Sequence, residues 1–230
     1  MNVLVIETAT RACAVALAVG GADPVTALLD EDRRHTEVLV EGIAALLASA
    51  GLRARDLDRV VVDQGPGLFT GLRVGVATAN ALAQAVGCEL VAVSSLELLA
   101  RGAHARGARG TLVSCVDARR GEVFVQTFAL ADDTVRAFAE PAVARPRAVA
   151  IEWATNGAPV VFTGDGVARY AADLGAVPQG VIVEQLVPPP AEGVALASAR
   201  EPTDVVRPLY LRDADAVANF TTRDGAAPVT

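Results

Sequence analysis

Short apolar runs bounded by turn residues alternate with longer amphipathic stretches. Residues 3–6 are apolar and end in Glu7-Thr8-Ala9-Thr10-Arg11; residues 13–19 are apolar again and close on Gly20-Gly21. This predicts strand, polar turn, strand, with a carboxylate where the first strand ends. Residues 26–29 predict a third strand of the same meander, and residues 30–34 a charged loop. From His35 the period lengthens: Val38, Leu39, Ile43, Leu46 and Leu47 share one helical face, and Gly51 stops the helix.

Residues 60–62 predict a buried strand that runs into Asp63-Gln64-Gly65-Pro66-Gly67-Leu68-Phe69-Thr70-Gly71 and then a helix of small residues. The glycines permit backbone angles closed to other residues, and Pro66 fixes one angle of the turn. Thr70 is the expected N-cap. Gly71, Gly75 and Ala79 recur every four residues and lay a nearly bare stripe along one helix face. Each glycine costs the helix about 1 kcal/mol relative to alanine, so something must pack closely against the stripe. A phosphate cradle and a close packing contact both suit a glycine-rich loop that opens a helix. The loop lacks the third glycine of a dinucleotide fingerprint and the lysine of a P-loop, which favours packing or an interface.

Residues 90–93 predict another strand, and Ser94-Ser95-Leu96-Glu97 the start of a helix. Residues 102–110 read as a flexible loop dividing a lobe at 1–101, with the partner-binding helices, from a smaller, less regular one at 111–230. The opening pattern then repeats. Residues 112–116 are apolar, end in Asp117-Ala118-Arg119-Arg120-Gly121-Glu122, and are followed by apolar residues 123–128. Aligning Glu7 with Asp117 makes this an internal duplication. After an irregular acidic stretch at 132–150, a short helix is expected from Ile151. A strand at 160–162 leads into Gly164-Asp165-Gly166 and a helix at 167–174. A valine-rich segment at 181–187, a helix at 191–200 and a polar, frayed last dozen residues complete the chain.

Composition narrows the chemistry. All 20 basic residues are arginine, so lysine Schiff-base and P-loop chemistry are excluded. A net charge of −7 makes the chain a poor nucleic-acid binder on its own. Cys13, Cys88 and Cys115 form no CxxC and read as buried small hydrophobes in a reducing compartment. With Glu7 interrupting the first apolar run and no basic segment before it, neither a signal peptide nor a membrane span is expected, and the location is read as cytoplasmic. His35 and His104 form no H-x-x-x-H pair, and no serine lies in a G-x-S-x-G frame, so no metal and no catalytic residue is assigned.

Two hairpins with a carboxylate at each turn, and a later Gly-Asp-Gly after a strand, resemble the two-lobed actin-like ATPase (ASKHA, ribonuclease H-like) α/β fold with duplicated mixed-sheet lobes. In that resemblance Glu7, Thr8, Asp117, Gly164 and Gly166 occupy the nucleotide cleft. Glu7 in place of aspartate, and Arg119 and Arg120 in place of a glycine-rich turn, make the cleft vestigial. The ordered segments Glu7-Thr8-Ala9-Thr10, His35-Thr36-Glu37, Gly65 to Gly75, Val93-Ser94-Ser95-Leu96, Asp117 to Val123 and Pro208-Leu209-Tyr210-Leu211-Arg212 are together similar to the TsaB (YeaZ) family. The resemblance implies a non-catalytic platform and activator that TsaD needs to make N6-threonylcarbamoyladenosine next to the tRNA anticodon. It implies TsaD and TsaE as partners, a homodimer when alone, tRNA contacted only through the complex, and no tightly bound cofactor, with ATP entering only within the complex. Leu39, Ile43, Leu46, Gly71, Arg73, Gly75 and Ala79 would form the partner face, and Gly75→Leu is expected to block association while the fold survives. The alternative is an autonomous enzyme of the same fold, a phosphotransferase or a threonylcarbamoyl transferase.

Overall fold

The computed structural model describes residues 1–29 and 35–212; the charged loop expected at 30–34 and the polar last dozen residues lie outside the described residues. Two sheets share one wiring. In the first, β1 (Val3–Glu7), β2 (Cys13–Ala18) and β3 (Val25–Leu29) form an antiparallel meander. Beyond α1 (His35–Ser49), β4 (Arg59–Asp63) adds in parallel beside β1. It is followed by α2 (Phe69–Val86) and then β5 (Glu89–Val93), which gives the order β3-β2-β1-β4-β5. After α3 (Ser95–Ala105), the second sheet repeats the plan. Its strands β6 (Gly110–Arg119), β7 (Glu122–Leu130) and β8 (Val135–Ala137) form the meander, and β9 (Ala142–Ala144) also pairs with β7. Beyond α4 (Pro146–Asn156), β10 (Val160–Thr163) adds in parallel beside β6. Then come α5 (Asp165–Arg169), α6 (Ala171–Leu174), β11 (Gly180–Val183) and α7 (Pro190–Ala199).

Read from its meander edge, the second sheet runs β8-β7-β6-β10-β11 and matches the first strand for strand. Glu7 lies opposite Ala14, the second residue of β2, and Asp117 opposite Val123, the second residue of β7. The duplication expected from the two hairpins is therefore present in the pairing register, and the chain has the two-lobed α/β architecture.

Every residue of β1 and β2 is buried, because helices cover both faces of the first sheet. On one face Leu4, Ile6 and Val15 pack with Val38, Leu39, Ile43 and Leu46 of α1 and with Val76 and Ala79 of α2. On the other, Val3, Val5, Val61 and Val91 meet Leu196 and Ala197 of α7. The second sheet is covered by Leu96, Leu99 and Ala103 of α3 on one side and by Val149, Trp153, Val167 and Leu174 of α4 to α6 on the other. The first sheet ends at Val93 and the second begins at Gly110, but α3 covers the second sheet and α7 the first. Each lobe borrows a helix from the other half of the chain.

Several local expectations are corrected. Thr70 is the second residue of α2, and its hydroxyl caps nothing; Leu68 stands at the N-cap and is held by its own N–H, which donates to Ala9 O at 2.7 Å. Ser94 does cap α3, accepting from the Leu96 N–H at 3.2 Å. That helix runs to Ala105, so the loop expected from residue 102 is shorter, and Gly102 is buried against Gln185 and Pro189. The helix expected from Ile151 begins at Pro146, whose ring suits a first helical position. The helix at 167–174 is broken into α5 and α6 at Tyr170.

Candidate functional site

Two places collect the residues singled out by the sequence: the strand tips between the lobes, and the outer face of α1 and α2. At the tips, β1 and β4 run parallel with Ile6 level with Val62, so Glu7 and Asp63 stand side by side. Both are fully buried. Each carboxylate folds the chain that follows it: Glu7 Oε1 accepts from the Ala9 N–H at 2.7 Å, and Asp63 Oδ1 from the Gly65 N–H at 2.7 Å. The other oxygens, Glu7 Oε2 and Asp63 Oδ2, have no partner, nor do the hydroxyls of Thr8 and Thr10. Burial, then Asp63 and Asp165, push the Glu7 carboxyl well above the usual carboxylate range. Burial pushes Asp63 up to about 8, against the backbone hydrogen bonds from Gly65 and Ser95.

The second lobe presents a different tip. Asp117 Oδ1 accepts from the Arg119 N–H at 2.9 Å and from the Tyr170 hydroxyl at 3.3 Å. Its Oδ2 faces Arg119 Nη1 at 3.2 Å and Arg169 Nε at 3.4 Å. Asp165 accepts from the Asp117 N–H at 3.0 Å, and burial raises its carboxyl. Arg119 and Arg120 adopt left-handed angles, φ 63° and 55°, at the hairpin end. Two adjacent non-glycine residues in that region cost about 1–2 kcal/mol each.

The glycines at these tips meet the chain's own atoms. A Cβ at Gly164 would overlap Cys115 O, and one at Gly166 would lie 2.9 Å from Val123 Cγ1. Both glycines therefore admit the chain's own β6 and β7. Thr8 is sealed against α2, where a Cβ at Gly75 would overlap its Oγ1. At the second turn the guanidinium of Arg119 pairs with Asp117 Oδ2 at 3.2 Å. Among the described residues no three His, Cys, Asp or Glu side chains gather as a metal site. His35 Nε2 lies 3.0 Å from Arg11 O and His104 Nε2 2.6 Å from Ala131 O, so both rings bond to backbone.

The helix face needs the larger correction. Leu39, Ile43 and Leu46, expected to meet a partner, are buried in the core of their own lobe. The bare stripe also faces inward. A Cβ at Gly71 would overlap Thr8 O, Gly75 admits Thr8, and Ala79 is fully buried. Gly75→Leu would therefore strike the fold itself. Of the expected interface residues, Arg73 is exposed, and its guanidinium lies 3.8 Å above the Phe69 ring. The outward positions are others: Val40, 62% exposed, Ala44 and Ala48 on α1, and Ala77 and Ala81 on α2, with Val74 half-buried beside them. At the N-terminal ends of the two helices a groove of about 690 Å³ runs between Thr10, His35, Leu68, Phe69 and Val74.

The Pro208–Arg212 motif explains its own presence. Residues 203–212 have no regular secondary structure and cross the first lobe as a strap. The Val206 backbone exchanges two 3.0 Å hydrogen bonds with the Asn80 amide. The Leu209 N–H donates to Gln64 O at 2.7 Å. Tyr210 stacks on Phe69 at 5.1 Å and accepts from Arg73 Nε at 3.1 Å. Arg212 then reaches the second lobe, donating to Glu122 at 2.8 Å and to Ala118 O at 3.1 Å. Sequence reasoning missed Asp63, Asp165 and this strap. The available signal was an acid at or just beyond the end of each β4-type strand, Asp63 closing β4 and Asp165 two residues past β10.

Comparison with known proteins supplies the family. The profile of TsaD, tRNA N6-adenosine threonylcarbamoyltransferase, matches residues 15–201. The chain is 34% identical over 125 residues to the tRNA threonylcarbamoyladenosine biosynthesis protein TsaB of Escherichia coli, a match covering 54% of this chain and 53% of that protein. It thus spans about half the length of that relative. It is 29% identical over 230 residues to TsaB of Bacillus subtilis, covering 96% and 98% of the two chains. The solved structure of YeaZ from Pseudomonas aeruginosa superposes with a TM-score of 0.74 at 27% identity, over 86% of this chain and 91% of that one.

Proposed function

The chain belongs to the TsaD-type threonylcarbamoyltransferase family, on its TsaB (YeaZ) branch, and from that membership we propose that it is a non-catalytic platform and activator subunit for TsaD in N6-threonylcarbamoyladenosine synthesis on tRNA. The observation that carries this reading is the outer face of α1 and α2. Val40, Ala44 and Ala48 lie one turn apart on α1, and Val74, Ala77 and Ala81 follow on α2. These small apolar side chains let helices of another subunit approach closely, with exposed Glu37 and Glu41 on the same side of α1 and Arg73 on α2 beside them. The filled strand tips support the non-catalytic part of the reading. TsaD and TsaE are the proposed partners, a homodimer through the same face forms in their absence, tRNA is met only within the complex, and no nucleotide binds this chain tightly.

The first test is threonylcarbamoyladenosine formation on tRNA from threonine, bicarbonate and ATP, with the AMP-intermediate synthase, TsaD and TsaE, with and without this protein. Synthesis that requires the protein, and fails when it replaces TsaD, supports the platform. Synthesis without TsaD would mean that this chain carries its own active site. The surface is tested by Ala44→Arg with Ala77→Arg. Both positions are exposed, so the melting temperature should move by no more than about 2 °C while TsaD association is lost. Undiminished association would place the interface elsewhere.

A further inference from the structure

The Glu7–Asp63 pair has no part in the proposed docking, yet it is the most costly polar feature of the first lobe. Two carboxyl groups stand level on neighbouring parallel strands, which are about 4.8 Å apart, on the same face of the sheet. Neither has any exposure to solvent. Each accepts from the backbone N–H two residues ahead, and the backbone N–H groups of Thr10 and Ser95 also act on Glu7 and Asp63, yet Glu7 Oε2 and Asp63 Oδ2 have no partner at hydrogen-bond distance and angle. Two adjacent buried carboxylates cannot both be ionised, and unpartnered buried oxygens are rare. A single proton resolves both difficulties, because a carboxylic acid donates where a carboxylate accepts.

We propose that Glu7 and Asp63 form a proton-sharing carboxyl pair, with one proton held between Glu7 Oε2 and Asp63 Oδ2, and that this bound proton makes the first lobe labile at alkaline pH. On alkalinisation the O–H bond breaks, the proton passes to solvent hydroxide, and the second negative charge remains in the sheet. The groups facing the pair do not supply compensation. Asp165 of α5 adds negative charge to the site of Glu7, and Cys13 on β2 has its thiol pushed up to about 12 by burial and by Glu7. Arg119 acts on the Asp165 carboxyl and lowers it. By alternation along β1 and β4 the pair shares the sheet face of Val5 and Val61, opposite α2, where α3 brings Ser95, whose hydroxyl donates to Pro66 O at 2.6 Å and whose backbone N–H favours the charged form of Asp63.

The sign follows from proton binding. Both folded-state carboxyls lie above their unfolded values. Between the ordinary carboxylate range and about 8, the folded chain therefore holds more protons than the unfolded one. Stability falls as pH rises through that window. Asp63→Asn keeps an acceptor for the Gly65 N–H and gives Glu7 Oε2 a permanent donor.

The expected result is a variant that melts about 3 °C or more above the parent at pH 9 and within about 1 °C of it at pH 5, with the alkaline slope of the parent flattened. Glu7→Gln should flatten the slope in the same way. A direct reading needs no variant: infrared spectroscopy of the parent at pH 7 should show the C=O stretch of a protonated carboxyl group, absent in Asp63→Asn. The proposal is overturned if the parent shows no such band, or if the slope survives in both variants. It is equally overturned if Mg²⁺ at pH 9 raises the melting temperature of the parent but not of Asp63→Asn, since the pair would then hold a cation in place of the proton.

Discussion

The two lobes put carboxylates at the same topological place and treat them in opposite ways. In the first, Glu7 and Asp63 are sealed, uncompensated and pushed up by burial. In the second, Asp117 is met by two guanidiniums, a phenol and a backbone N–H, and stays at the edge of solvent with 5% exposure. A duplicated fold therefore fixes where acids sit but not their partners, which are decided by what the following turn brings within reach. In the first lobe the turn brings threonines and glycine-lined backbone. In the second it brings arginine. Both tips use their glycines for the chain's own packing.

The largest effects should come from filling that space. Gly75→Leu drives a side chain into Thr8 beneath α2, and Gly164→Ala adds a Cβ against Cys115 O at a φ of 111°. Each should cost about 3 kcal/mol or more by chemical denaturation. A Gly164→Ala protein of unchanged stability would show the second tip to be open and restore the case for a ligand there. Next comes Asp117→Ala, which leaves the Arg119 N–H without its acceptor at a left-handed turn residue. A loss of about 1–2 kcal/mol is expected, most of it from the backbone hydrogen bond and little from the half-exposed ion pairs. Its contrast with Asp63→Asn, a gain at alkaline pH, is the sharpest statement of the difference between the lobes.

What could be read from the sequence was local. The hairpins, the strand before the Gly-Pro-Gly turn and the inward face of α1 follow from periodicity within a few residues. The buried set Val38, Leu39, Ile43, Leu46 and Leu47 was legible as a face, but periodicity does not say whether a face meets its own sheet or another chain. The stripe of Gly71, Gly75 and Ala79 announced a close approach in the same incomplete way, and the approaching group is Thr8, from a turn more than sixty residues earlier in the chain. The crossing of α3 and α7 between lobes was invisible for a related reason, since an amphipathic helix does not name the sheet it covers. Asp63 was passed over because its importance arises from the pairing of β1 with β4, a contact no short window contains.

The smallest expected effect concerns the strap that ties the two tips together. Tyr210 makes two separable contacts: its ring stacks on Phe69 and its hydroxyl accepts from Arg73. Tyr210→Phe keeps the ring and removes the hydroxyl. Both partners are substantially exposed, so water replaces the lost bond and the cost should be about 0.5 kcal/mol. Tyr210→Ala also removes the stacking and should cost about 1 kcal/mol more. If the strap couples the lobes, amide exchange at the Glu122 end of the second hairpin should quicken in Tyr210→Ala, although that residue touches only the first lobe's helix. Exchange confined to α2 would mean that Arg212 holds the second hairpin unaided, and that the lobes are joined through α3 and α7 alone.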